Sequence, residues 1–392
     1  MRPGAPDPGI VVFAGLDWWY HNRAHSDFQL ATRLSTRRRV LLVNSIGTRL
    51  PQPGRTSGIG RRLRNKLRSV LRGVRRPDPE RLPEFWVYSP LVVPAYGSAL
   101  GRRLATALVR AQVAVVRRWL RITEPALLVT PPTAWPVVRD LRRGALVYNR
   151  SDKHSAFAEV DTAAIAALES ELLRAADHVL YVSHELRDED APLVGERAVF
   201  LDHGVDADLF RPDVAEAAAL AGVPRPRVGY FGTFRDHTVD GALLLHLARS
   251  LPEVAFVLVG PSSMDLDALT ALPNVHRFGQ QEHRDVPAFG VGFDVGIMPW
   301  LDNDWIRKCN PIKLKEYLAL GLPTVTTDFP EAHRYAGLVR TVRGAEEFVA
   351  AVREELADRG DPAARRAAVA GETWDARAET VLRLLGATVP GR

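Results

Sequence analysis

A chain of 392 residues, 46% hydrophobic and 25% charged, has an ordinary globular composition and is long enough for two domains of roughly 150–200 residues. No stretch of about 18 residues runs without a charge, and the N-terminus enters a strand-like segment at 10–14 with no basic-then-apolar signal. The single cysteine, Cys309, permits neither an internal disulfide nor a cysteine zinc cluster, and the expectation is a cytoplasmic protein.

The net charge of +6 hides a split. Residues 1–150 carry 27 Lys and Arg against 8 Asp and Glu, whereas the remainder carries 25 against 38. A basic first half points to an anionic surface or ligand. No zinc finger, RNA-recognition signature or other reading motif accompanies the charge, so nucleic acid is not the expected partner. Only five of the 52 cations are lysine, and an arginine-rich composition on solvated faces accounts for part of the excess.

In chain order, short apolar runs alternate with helix-period segments. Strands are predicted over 10–14, 40–44, 85–88, 126–130, 145–149 and 178–183, with helices near 24–34, 60–75, 98–121, 133–141 and 161–175. A short strand at 199–201 closes this series. The pattern restarts with strands over 227–231, 255–260, 275–279, 295–300, 323–327 and 338–342, and 345–386 reads as all-helical. Repetition of this kind predicts an α/β protein with two doubly wound, parallel-sheet, Rossmann-like domains. The expected boundaries are 1–210, a Pro-rich linker at 211–226, a second domain at 227–370 and a C-terminal helix at 371–392 that crosses back to the first domain. Ligands of such sheets sit at the carboxyl ends of the strands, which puts the expected site in a cleft between the domains.

The densest chemical signal is Asn310-Pro-Ile-Lys-Leu-Lys-Glu-Tyr-Leu-Ala-Leu-Gly-Leu-Pro-Thr-Val325. Asn310 is a suitable helix cap, Pro311 a suitable first position, and Gly321 a suitable end. Lys313 and Glu316, three apart, share a helical face. Three of the five lysines, Lys308, Lys313 and Lys315, fall within eight residues. A helix N-terminus attracts phosphate through its N–H groups and dipole, and a lysine in its first turn strengthens that. A carboxylate one turn on suits a ribose diol; the plainer alternative is an ion pair on a solvated helix. A strand running into Gly232 and Thr233 brings backbone close to a diphosphate, with Arg235 adding charge. The strand end at Gly279, Gln280 and Gln281 is either a base-pocket lining or an ordinary loop.

These pieces in this order resemble the GT-B glycosyltransferases, in particular the family 4-like retaining enzymes of polysaccharide and teichuronic-acid-type assembly. Gly229-Tyr-Phe-Gly-Thr-Phe234, Phe256-Val-Leu-Val-Gly-Pro261, Phe293-Asp-Val-Gly-Ile-Met-Pro299 and Asp202-His-Gly-Val-Asp-Ala-Asp-Leu-Phe210 support the likeness. The resemblance implies that Glu316 holds the donor ribose, that Lys313, the helix start at Asn310–Ile312 and the Gly232–Thr233 loop hold the diphosphate, and that Gly279–Gln281 hold the base. Lys308 stands where the larger family carries the first of two glutamates. Thr130-Pro-Pro-Thr133 stands where many members carry a histidine, and the nearest acid/base candidates are Asp152 and His154.

The loop Gly15-Leu-Asp-Trp-Trp-Tyr-His-Asn-Arg-Ala-His25 follows the first strand. Gly15 is a candidate contact for the leaving diphosphate, and Asp17, Trp18, Trp19 and His25 are candidates for an acceptor platform, since aromatic rings stack on sugars. The segment 55–76 has nine cations and no acid, with Leu63, Leu67, Val70, Leu71 and Val74 at helical spacing. This reads as a helix on an anionic membrane surface, with a sheet-packed helix and a nucleic-acid patch as alternatives. The segment 100–121 repeats the theme with Leu104, Leu108, Val115 and Trp119, and is expected to cover the sheet.

The expected activity is metal-independent transfer of a sugar from a UDP- or GDP-sugar to a glycan, lipid-linked or small natural-product acceptor. It is expected to retain the anomeric configuration and to need no cofactor beyond the donor. Asp206/Asp208 and Asp302/Asp304 form Asp-x-Asp pairs of the kind that metal-dependent transferases of another fold use, but a second α/β half argues against that fold. A nucleotide-sugar 2-epimerase and a non-catalytic, membrane-associated nucleotide-binding scaffold remain as alternatives.

Overall fold

The computed structural model describes residues 8–46, 59–93, 98–156 and 162–386. The chain forms two compact units, residues 1–202 with 377–392 and residues 203–376.

The first unit holds strands β1 (Ile10–Phe13), β2 (Val40–Val43), β3 (Val74–Arg75), β4 (Phe85–Tyr88), β5 (Ala126–Val129), β6 (Leu146–Arg150), β7 (His178–Tyr181) and β8 (Ala198–Phe200). Their order is β3-β4-β2-β1-β5-β6-β7-β8, parallel except for β3 on β4. Strands β1, β2, β5 and β6 are buried throughout, as strands covered on both faces must be. The helices are α1 (Ser26–Ser35), α2 (Ile59–Leu71), α3 (Ala99–Trp119), α4 (Trp135–Val138), α5 (Thr162–Ala175) and α6 (His184–Val194).

The second unit holds β9 (Arg227–Phe231), β10 (Ala255–Val259), β11 (Val275–Phe278), β12 (Val295–Met298), β13 (Thr324–Thr327) and β14 (Arg340–Val342), ordered β11-β10-β9-β12-β13-β14 and all parallel. Helices α7 (Gly241–Ser250), α8 (Asp267–Thr270), α9 (Val286–Gly290), α10 (Asp304–Arg307), α11 (Ile312–Ala319), α12 (Ala345–Ala357) and α13 (Pro362–Val369) belong to it, and α14 (Trp374–Gly386) continues from it into the residues of the first unit. Residues 211–226 pack within this unit instead of forming an open linker: Leu220 is buried and the Ala217 N–H donates to the Ala288 carbonyl.

Each sheet reverses its winding at one point, between β1 and β5 in the first unit and between β9 and β12 in the second. Such a reversal opens a crevice at the carboxyl ends of the two strands, because the connections leave in opposite directions.

Gly296 makes the floor on which α11 rests, and its neighbour Gly229 makes room for the Phe293 ring. Gly229 on β9 and Gly296 on β12 are paired, and the Tyr317 ring lies 3.1–3.2 Å from where a Cβ at Gly296 would be. The Phe231 N–H donates to the Tyr317 hydroxyl at 3.2 Å, which ties the helix to the last residue of β9.

The expectation that 100–121 covers the sheet holds, but not through the four residues singled out in it. Val109, Val113, Val116 and Leu120 cover the sheet, whereas Leu104, Leu108, Val115 and Trp119 are exposed. Both sets have helical spacing, and the pattern alone does not say which one meets the sheet.

A side chain at position 229 would place its Cβ 2.2 Å from the Phe293 ring. Gly229→Ala is therefore expected to cost about 1–3 kcal/mol through overpacking. Thermal unfolding checks this, and an unchanged midpoint would show that Phe293 yields freely.

Candidate active site

In the second unit the crevice between β9 and β12 is lined by the turn after β9, by Trp300 just past β12, and by the first turn of α11. Helix α11 starts at Ile312 with Pro311 in the cap position and no side-chain cap, so the expectation that Asn310 caps it is corrected by one residue. The Ile312 and Lys313 N–H groups belong to a first turn that has no intrahelical acceptors. Asn310 is buried beside them.

Lys313 is the side chain that reaches the crevice. A Cβ at Gly232 would sit 2.8 Å from its Cε and 3.1 Å from its Nζ, so only glycine leaves room there. Gly232 also has φ of +144°, in a region that side-chain-bearing residues rarely adopt. The Lys313 ammonium lies 4.8 Å from the Trp300 ring centroid and 5.3 Å from that of Tyr230, so two aromatic faces steady the cation. The Gly232 N–H is taken by the Val259 carbonyl at 2.9 Å, which leaves the Thr233 N–H as the amide this turn can offer.

Glu316, one turn on, is buried, and burial pushes its carboxyl up to about 8. Lys313 pulls in the opposite direction and Asp206 adds to the rise. No hydrogen bond is among the influences on it. A buried carboxyl with no internal donor suits an external one, because such a group is costly to leave unsatisfied.

The three clustered lysines separate into different roles. Lys315 is fully buried and pairs with Glu372 at 2.7 Å, with the His203 carbonyl as a second acceptor. Lys308 pairs with Asp304, and Arg307 pairs with Asp302, so both carboxylates of that Asp-x-Asp pair already hold cations. Of the three, Lys313 alone faces the glycine turn. Arg235 is exposed beyond that turn. Gly279 and Gln280 are exposed and Gln281 is half-buried after β11, on the same sheet edge and two strand spacings, about 10 Å, from β9.

The first-unit candidates are largely structural. Asp17 is buried and accepts the Ser69 hydroxyl at 2.7 Å and the Trp19 N–H at 3.0 Å. Trp18 is core: it meets Phe28 and Phe85 edge-on, with the Arg23 guanidinium 3.9 Å over its ring. These two are therefore removed from the acceptor platform, because their surfaces are already occupied. Trp19 is half-buried, with Arg72 at 4.5 Å over its ring. Gly15 gives its N–H to Asp27 Oδ2 at 2.8 Å, so that amide cannot serve a phosphate.

Asp27, at the start of α1, escaped sequence reasoning. It is fully buried and also accepts the Thr130 hydroxyl, which joins β1, β5 and α1 at the crevice of the first unit. Its sequence signal was an acidic residue in a helix first turn. His25 is half-buried with Nδ1 3.8 Å from Asp27 Oδ2, and burial lowers its pKa.

His154 is buried with Nδ1 3.8 Å from Glu169, and burial, helped by Arg150, lowers its pKa to about 3. It is therefore neutral and a weak base at physiological pH. Asp152, half-buried, accepts the Arg150 guanidinium through its carbonyl. Arg150 in turn is held by Glu169 and Asp190, a buried network that braces α5 and α6 on the sheet.

The folded chain keeps the Glu316 proton to about pH 8, against 4.5 for an ordinary glutamate. The folded state thus binds more protons between those values, so its stability falls as pH rises from 4.5 to about 8 and then levels. Glu316→Gln should remove this slope. Thermal midpoints of variant and wild type should diverge with rising pH, and parallel curves would contradict the assignment.

Residues 225–358 match the model of the family described as glycosyl transferases group 1. TuaH of Bacillus subtilis, whose name assigns it as a glycosyltransferase to teichuronic acid biosynthesis, is 25% identical over 252 residues. That alignment covers 60% of this chain and 63% of TuaH's own length. Among solved structures, sucrose-phosphate synthase of Thermosynechococcus elongatus superposes with a TM-score of 0.69 at 16% identity, covering 96% of this chain and 97% of the other. Anabaena HepE in complex with UDP gives 0.65 at 16% identity, covering 96% and 99%. An Escherichia coli trehalose-6-phosphate structure bound with UDP-2-fluoro glucose gives 0.67 at 11% identity, covering 97% and 100%. At these identities the superpositions establish the fold. The chain has the two-domain GT-B fold, and its residues 225–358 match the glycosyl transferases group 1 model.

Proposed function

We propose that the protein transfers a sugar from a nucleoside-diphosphate-sugar donor to a hydroxyl acceptor on a glycan or lipid-linked glycan, without a metal and with retention of configuration. The observation that carries this reading is the contact of Lys313 with the Gly232 turn, one helical turn before a buried and unbonded Glu316. The group 1 match over 225–358 supports the donor, and the UDP and UDP-glucose complexes of HepE favour uridine. The likeness to TuaH favours a cell-surface polymer as acceptor.

Breaking the sugar–phosphate bond leaves negative charge on the departing diphosphate. Lys313, the first-turn amides of α11 and the Thr233 N–H would meet that charge where it develops, in positions already organised before the donor arrives. Glu316 would hold the ribose diol: as a carboxylate it accepts two hydroxyl hydrogens, and as an acid it donates one and accepts one. With His154 neutral and weakly basic, the acceptor proton would pass to the leaving phosphate itself, which is consistent with attack from the face the donor leaves.

A lipid-linked acceptor would bring the protein to an anionic membrane surface. We extend the proposal to contact through 55–76, where Arg64, Leu67, Arg68 and Leu71 of α2 are exposed. The Leu63 side chain and residues 55–58 lie outside what the structure describes. Among the described residues no helix is long and apolar enough to cross a membrane, so contact of this kind would be peripheral.

Incubation with radiolabelled UDP- and GDP-sugars, followed by separation of free sugar, product and donor, tests the activity. Lys313→Ala should lower turnover about 100- to 1000-fold, the usual loss for one charge-stabilising donor. Glu316→Ala should weaken UDP binding about tenfold in calorimetry, roughly one lost pair of polar contacts. Donor affinity and turnover both intact in Glu316→Ala would refute the site.

A further inference from the structure

Helix α3 is apolar on two opposite sides. At about 100° per residue, the sheet-facing Val109, Val113, Val116 and Leu120 fall within an arc of about 60°. Leu100, Leu104, Leu108, Val115 and Trp119 fall within an arc of about 100° on the other side. Those five are 38–68% exposed. A surface helix normally has a charged or polar outer face, and one that is apolar there has something to meet.

The surroundings indicate what that is. Arg103 and Arg118 lie on the outer side of the helix. No Asp or Glu occurs anywhere from 85 to 123, a span with six arginines. The apolar face continues beyond the helix onto Leu91 and Val93, 47% and 44% exposed. Gln112 clamps this strip against α3 by accepting the Leu91 N–H and donating to the Leu91 carbonyl, both at 2.9 Å. At the other end, Trp119 borders a cavity of about 480 Å³ that is also lined by Arg39, Arg76, Trp86, Leu120 and Arg121.

We infer that the outer face of α3, with Leu91 and Val93, docks on an anionic lipid bilayer. This names an element separate from the α2 contact and does not depend on the donor site. The leucines and Val115 enter the acyl boundary, Trp119 lies at the headgroup level, and the arginines spread over lipid phosphates with their stems alongside the apolar residues. The cavity beside Trp119, where Arg76 and Arg121 stand beside an Arg39 already held by Glu84, suits a phosphate headgroup. A second copy of the chain fits less well, because the face would oppose arginine to arginine.

The test is co-sedimentation of the full chain with vesicles of phosphatidylcholine or of equimolar phosphatidylcholine and phosphatidylglycerol. Wild type should bind the mixed vesicles and bind phosphatidylcholine at least about tenfold more weakly. Leu104→Ser and Val115→Ser together should weaken mixed-vesicle binding about tenfold or more while changing the thermal midpoint little, since these side chains are 63% and 67% exposed. A protein with Cys309→Ser and Leu108→Cys, labelled with a polarity-sensitive dye, should shift to the blue on the mixed vesicles. Equal binding to the two vesicle types, a double variant that binds as wild type, or an unmoved dye would each overturn the inference. So would a wild-type dimer in sedimentation velocity that the double variant dissolves, which would make the face a contact between copies.

Discussion

The placement of the candidate site depends on the Tyr317 ring lying on a floor of glycine. With no side chain at Gly296, α11 comes close enough to the sheet for the Tyr317 hydroxyl to take the Phe231 N–H. Gly232 follows Phe231 directly, so one contact sets the height of the helix and its register against the turn. Lys313 is one turn earlier than Tyr317 on the same helix and therefore arrives over Gly232. A small shift of the helix would put the ammonium against Trp300 alone or out in solvent.

The buried charges fall into two kinds, distinguished by whether the protein satisfies them itself. Lys315 has Glu372, Arg150 has Glu169 and Asp190, and Asp27 has the Gly15 amide and the Thr130 hydroxyl. These pairs brace elements distant in sequence and leave nothing over for a ligand. Glu316 is different: it is buried, has no internal donor, and is held up near neutrality by its surroundings. Lys313 is likewise steadied by rings and not by a carboxylate. A polar group that is removed from water and left unsatisfied is costly, and a ligand that satisfies it recovers that cost on binding.

The two units use the same architecture differently. In the second, the crevice at the strand reversal is lined by glycine, amide and lysine. In the first, the corresponding crevice is closed over by Asp27, and the loop after β1 is tied down by Asn44 and Ser69. A loop held this firmly presents a shaped surface and leaves few groups to titrate.

Much of the fold was legible in the sequence because it is written in local patterns. Apolar runs such as 40–44 and 255–260 read as buried parallel strands, and Lys313 and Glu316 were singled out by helical spacing, the lysine cluster and the family resemblance together. Side-chain roles that depend on the partner element were not legible. Lys315 stood in the sequence only as a member of the lysine cluster, and its partner Glu372 lies 57 positions later. Trp18 looked like a sugar platform until Phe85 closed on it. On α3 the periodicity contained two apolar stripes, and only packing decided which one meets the sheet. Period and propensity belong to neighbouring residues, so the chain carries them by itself. Which face is covered, and which charge is left without a partner, belongs to contacts between distant residues and exists only once the chain has folded.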